Sequence, residues 1–243
     1  VWMHHFSKPL VNTPSDFGIR CEEPEQRELL DYLAKLLVES DWSVKALMRE
    51  ILLSSTYRQA SADRTDCYTI DPRNRLLWRM NRKRLEFEVL RDALLSVSDG
   101  LDHAMGGKPV RQFRKLSSGK RRSVYGYIDR QDLPNLLRVF DFAGPDASAE
   151  YRSQTTVPQQ ALFLLNSPFV LDLGQTIAKK HRGKTDLDFV QSAYQQVLAR
   201  IPTDVEEEIA VRFLTSSSSK ARMQSRTQFA QLLLLTNEFC HVD

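Results

Sequence analysis

The chain has 243 residues, of which 42% are hydrophobic and 27% charged, the make-up of a globular protein that can bury a core without a disulfide frame or a structural metal. Its net charge of +3 is too small to argue for nucleic acid or an anionic membrane surface. No apolar run reaches the roughly 18 residues that a membrane-spanning helix needs.

The dominant period is helical. Pro24 suits a first helical turn, and Leu29, Leu30, Leu33, Leu36 and Leu37 follow as an apolar stripe. Ser43 can cap a second helix carrying Val44, Leu47, Met48, Ile51 and Leu52. A third runs from Leu85 to Val97 and stops at Asp99-Gly100. These three are expected to pack as one helical half. Residues 99–123 then read as a long central loop, with three glycines early and a basic stretch from Lys108 to Arg122. The run Ser123–Ile128 has β-type residues and is the best strand candidate. A short helix at Leu133–Phe140 and a loop through Gly144-Pro145-Asp146 follow.

The last third returns to helix. Thr156-Val-Pro158 and Ser167-Pro168 mark two helix starts. Asp186 can cap a helix through Leu198, and Thr203 to Glu206 fits a capping box. Ser216 to Ser219 reads as a linker before a final helix from Gln224 to Glu238. The expectation is a mainly α protein with a small β element around 123–128. Its plan is helical over 1–98, loop and strand over 99–155, and helical over 156–243. Starting on Val1 without a signal pattern, the chain reads as one C-terminal domain fragment of something longer.

Eight phrases then stand in a fixed order: Trp2–Phe6, Thr13–Gly18, Ser54–Gln59, Asp71–Met80, Arg121–Arg130, Phe140–Ser148, Thr155–Phe169 and Thr236–Phe239. Through them nearly the whole chain closely resembles the planctomycete-type domain of unknown function (DUF family 1553). That domain ends large exported proteins with a cytochrome c-like module. The resemblance implies an extracytoplasmic setting, at the periplasm or cell surface. It also implies a preceding companion domain and a haem c module elsewhere in the full-length chain as partners. It implies no reaction.

Within this segment no cofactor is expected. Cys21, Cys67 and Cys240 form no CxxC or CxxCH, so haem is not attached here in the usual way, and no metal set is recognisable. A Cys21–Cys67 disulfide and three idle thiols both stay open. His4 and His5 are adjacent and so point to different helical faces; one of them is a ligand or acid/base group, or both serve the core. The basic run of Arg73, Arg75, Arg79, Arg82, Lys83 and Arg84 suits an oxyanion site, or an ion-pair network with Asp71, Glu86, Glu88 and Asp92.

Two stretches hold the candidate ligand-binding residues. The first is Arg121, Arg122, Tyr125, Tyr127, Asp129 and Arg130. As a strand it would turn Val124, Gly126 and Ile128 to the core and leave both tyrosines outward, where rings cover sugar CH surfaces and charges bond hydroxyls or sulfate. The second is Thr155, Gln159, Gln160 and Asn166, beside a helix start whose free amides attract anions. For each, the plain alternative is local folding work. Joined by a loop of about 25 residues, the two stretches are expected to line one cleft. Three functions remain: a non-catalytic binding or scaffold domain taking a polysaccharide or oxyanion, an enzyme on an external carbohydrate with Asp129, Asp141 or Asp146 as acid/base, and an inert structural cap.

Overall fold

The computed structural model describes residues 1–19, 21–116, 119–216 and 221–242. Among these, twelve α-helices and a single two-stranded sheet make a mainly helical protein. No single described helix is long and apolar enough to cross a membrane. The chain divides into two compact units: Val1–Lys83 with Val242, and Arg84–His241.

The first unit holds α1 (Trp2–Phe6), α2 (Arg27–Glu39), α3 (Val44–Leu53) and α4 (Thr65–Ile70). Its core is small: Phe6, Leu33, Leu47, Ile51 and Met80. Trp2 stacks on Phe6 at 4.1 Å, and Tyr57 meets Phe6 edge-on at 5.9 Å. The α3 cap is as expected, with the Ser43 hydroxyl accepting from the Ala46 N–H. Of the α3 stripe, Leu47 and Ile51 face inward, while Val44, Met48 and Leu52 stay exposed.

The loop from Asp71 to Asn81 is built by its own side chains. Buried Asn74 donates to the Arg79 carbonyl at 2.9 Å and to Asn81 at 3.0 Å. Asp71 accepts from the Leu76 N–H at 2.8 Å, and the Trp78 indole donates to the Asp71 carbonyl. Asn74 and Leu77 both have left-handed backbones, with φ of 50° and 54°. Asn tolerates that region, but for Leu it costs about 1–2 kcal/mol, which these bonds must offset.

The second unit contains α5 (Phe87–Val97), α6 (Asn135–Val139), α7 (Pro158–Asn166), α8 (Pro168–Lys180), α9 (Asp186–Leu198), α10 (Asp204–Thr215), α11 (Arg222–Leu234) and α12 (Asn237–Cys240). The three N-terminal helices therefore do not share one body: α2 and α3 build the first core, and Phe87, Leu90 and Leu94 of α5 build the second. The reason is aromatic. Phe87 packs against Phe113, Phe140 and Phe163 at 4.7–6.4 Å.

Proline starts α7 and α8, and the Thr203–Glu206 capping box closes on α10. Val157 rather than Thr156 is the residue before α7, Ser167 makes no side-chain cap bond on α8, and α2 begins at Arg27 rather than at Pro24. Two further ends differ from expectation. Thr185, not Asp186, caps α9, because Asp186 instead takes the buried Arg226 guanidinium at 2.7 Å. The final helix breaks at Leu235, and Thr236 caps α12 separately. Apart from Ser216, the expected 216–219 linker lies outside the described residues.

The small β element exists, but not at 123–128. It is β1 (Lys83–Arg84) paired with β2 (His241–Val242). Ser123–Tyr125 is a 3-10 turn, followed by an isolated bridge between Gly126 and Val110. The cause is α5. Asp92 accepts from both the Ser123 N–H (2.8 Å) and its hydroxyl (2.7 Å). Arg91, fully buried, donates to the carbonyls of Gly119 (2.6 Å) and Arg121 (3.0 Å). These bonds fold the central loop onto the helix and offset the cost of burying the charge through both terminal nitrogens of Arg91, while its Nε is buried with no partner among the described residues. Burial lowers the Arg91 pKa, and Asp92 counters it.

Candidate functional site

Most of the side chains singled out in Arg121–Arg130 do local work. Arg121 donates to the carbonyls of Ala104, Gly106 and Lys108 and lies over the Tyr125 ring at 4.0 Å. The Tyr125 hydroxyl accepts from the Gly106 N–H at 2.8 Å. Val124 is 72% exposed, the reverse of the strand expectation. Asp129 accepts from the Gln131 N–H at 3.1 Å, and Arg130 meets Asp146 at 3.4 Å on the surface. Arg122 is exposed, and Tyr127 carries Arg111 over its ring at 4.7 Å.

The second stretch is likewise occupied. Both Asp141 oxygens bond the Thr155 hydroxyl at 2.9 Å, and one also takes its N–H. Gln160 is buried, accepting from Arg84 and donating to the Val139 carbonyl at 2.8 Å. Gln159 is exposed, and Asn166 donates to the Leu162 carbonyl one turn back. The two stretches line separate hollows. Thr155 and Gln160 border a space of about 20 Å³ with Arg84, Asp141 and Arg152. Tyr127 and Asp129 border one of about 10 Å³ with Arg111, Arg114 and Asp132. Each is no larger than a water molecule or so.

Among the described residues the pairs formed by Arg75, Arg79 and Lys83 are not with the anticipated Asp71, Glu86, Glu88 and Asp92. Glu86 and Glu88 bind Arg152, at 3.1 and 2.8 Å. Arg75 instead pairs with Glu25, Arg79 with Asp63, and Lys83 with the His4 carbonyl. The His5 ring bonds the Val1 carbonyl at 3.0 Å. All three cysteines are free thiols. Among the described residues no group of three His, Cys, Asp or Glu side chains converges as a metal site would need.

Room for a ligand lies in the first unit. One hollow of about 290 Å³ is walled by three cations, Lys8, Arg73 and Arg75, and by three carboxylates, Glu22, Glu23 and Glu25. Trp2 and Leu77 supply apolar surface, and Asn12 and Gln26 supply amides. Several of these groups are held in place. Lys8 donates to the Arg73 carbonyl at 2.6 Å, Gln26 to the Arg75 carbonyl at 2.9 Å, and Asn12 to Glu22 at 3.2 Å. The Arg73 guanidinium has no bonded partner among the described residues. Nearby Asp71 stays ionised, since the Leu76 and Arg75 N–H groups hold its carboxyl below the usual range.

A second hollow of about 260 Å³ shares Trp2, Gln26 and Leu77 with the first. Its other walls are aliphatic at Leu29, Leu33, Ile51 and Leu76 and polar at Ser54, Thr56, Tyr32 and Glu50, with the Tyr32 hydroxyl donating to Glu50 at 3.3 Å. The Glu50 charge raises the Tyr32 pKa. Neither hollow has a histidine or cysteine on its walls. The arrangement can bind through ring contact and hydrogen bonds.

Sequence reasoning singled out Arg73 and Arg75 but read them as one basic run. It missed Lys8, Asn12, Gln26 and Leu76. The phrases Trp2–Phe6 and Asp71–Met80 were the signal available for the hollow, since both contribute walls to it. A family model described as PSD1, a protein of unknown function (DUF1553), matches residues 1–214. No curated protein and no solved structure matches the chain.

Proposed function

The chain belongs to the PSD1 family of proteins of unknown function (DUF1553), and from its own surfaces we propose that it is a non-catalytic binding domain whose first unit takes a carbohydrate. We further propose the setting that the sequence resemblance implies: outside the cytoplasm, in one chain with a companion domain and a cytochrome c-like module.

One observation carries the reading. In the 290 Å³ hollow an aromatic ring, two amides and balanced charges face one open space. Rings cover sugar CH surfaces, and fixed amides and charges bond hydroxyls. Three cations against three carboxylates favour a neutral polyol over a free anion, because an anion would meet as much repulsion as attraction. The carboxylates offered by an enzymatic reading have other duties: Asp129, Asp141 and Asp146 each hold a separate local partner.

Calorimetric titration with a panel of plain and sulfated polysaccharides tests this. Binding is expected, and Arg73→Gln and Asn12→Ala should each weaken it about fivefold, the loss of one hydrogen bond, with unchanged circular dichroism. Wild-type affinity in both variants would remove the ligand from this hollow. Release of reducing ends would replace the reading with an enzyme.

A further inference from the structure

We infer that the sugar bound by the first unit carries an apolar substituent, and that one ligand lies across both hollows with Trp2 at its waist; this rests on the carbohydrate reading above. Size is the first reason. Each hollow falls just short of the roughly 300 Å³ at which small-molecule sites begin, and the two together fall within the range. They share three walls, Trp2, Gln26 and Leu77, so the two hollows lie side by side.

Lining chemistry is the second reason. The first hollow carries six charged side chains and the amides of Asn12 and Gln26, whereas the second has one charged side chain, Glu50, and the hydroxyls of Ser54 and Thr56, beside Leu29, Leu33 and Ile51. At the second one's wall Leu76 is 69% exposed and Tyr32 51%. Such surface gains by being covered. The loop supplies a third reason. Asp71–Asn81 places Arg73 on the polar side and Leu76 on the apolar side, and it does so with left-handed backbones at Asn74 and Leu77. Strain of this kind persists where surrounding bonds enforce it, often at ligand clamps. An alkyl or aryl glycoside matches the whole: hydroxyls toward Arg73, Lys8 and Asn12, and the aglycone beneath Leu76 and Tyr32.

The test is calorimetry on the 243-residue chain with matched methyl and hexyl β-glycosides of glucose, galactose and xylose. For at least one sugar the hexyl form should bind about tenfold tighter or more, as a buried chain requires. Leu76→Ser and Tyr32→Ser alter exposed side chains and should spare the fold, checked by circular dichroism. They should cut the hexyl advantage to about threefold or less and leave the methyl glycoside unchanged. Arg73→Gln should weaken both forms by the same factor. Methyl and hexyl forms binding equally would overturn this inference and leave the carbohydrate reading standing. A hexyl advantage untouched by both rim variants would overturn it too, since the tail would lie elsewhere. If no glycoside of either form binds, the inference falls together with the reading it rests on.

Discussion

Arg200 shows what a single side chain contributes. Its guanidinium grips Glu206 through two bonds of 2.8 Å and also holds Glu238 at 2.6 Å, while its plane lies over Tyr194 at 5.2 Å. Glu206 is at the same time the acceptor of the Thr203 N–H in the α10 capping box. The Arg200 bonds and the Thr203 N–H hold the Glu206 carboxyl down at about 2, against 4.5 for a free one. A depressed carboxylate stabilises the fold above its unfolded pKa, and that contribution disappears as pH falls through the folded value. Glu206→Gln should therefore destabilise at pH 7, and the gap to wild type should close between about pH 4.5 and 2. With both side chains about a third exposed, water screens the pair and the gap should stay near 1 kcal/mol or below. Urea titrations across this pH range measure it; a gap unchanged at pH 2 would mean that the carboxylate's charge is not the source.

At the scale of elements, α8 and α11 approach so closely that a side chain is excluded. A Cβ on Gly174 would sit 2.9 Å from the Thr227 carbonyl oxygen and 3.3 Å from the Gln231 nitrogen. Both obstacles are backbone, so the helices must separate. Gly174→Ala should cost about 1–3 kcal/mol from overpacking, even though Ala is the better helix former by about 1 kcal/mol. A urea midpoint equal to or above wild type would show that the helices give way freely. Legibility in the sequence divides along the same line of local against distant causes. The Thr203–Glu206 box and the proline starts of α7 and α8 are local chemistry and could be read directly. The 123–128 run could not, because Asp92 and Arg91, some thirty residues earlier, override the strand propensity of Val124 and Tyr125. The hollows were hidden for the same reason, since their walls come from α1, the start of α2, α3 and the 71–81 loop.

On the scale of the whole molecule the two units differ sharply in core. Among the described residues, five buried apolar side chains form the cluster of the first, against twenty-eight in the second. Burial drives stability, so the first unit should open at lower denaturant. The chain reports this by itself. All three tryptophans, Trp2, Trp42 and Trp78, lie in the first unit, whereas most helix lies in the second. In urea, tryptophan fluorescence should change before far-ultraviolet circular dichroism. Coincident curves would show that the units unfold as one.

The Leu85 N–H donates to the Cys240 carbonyl at 2.9 Å, so the chain enters and leaves the second unit at nearly one point. Folded, these residues add almost nothing to the reach of any chain that contains them. Stretched out, they would add on the order of 500 Å. Tension along the backbone would load that clasp end-on and peel its bonds one at a time rather than shear them together. The unit is thus a long stretch of chain whose two ends are fastened together at one place.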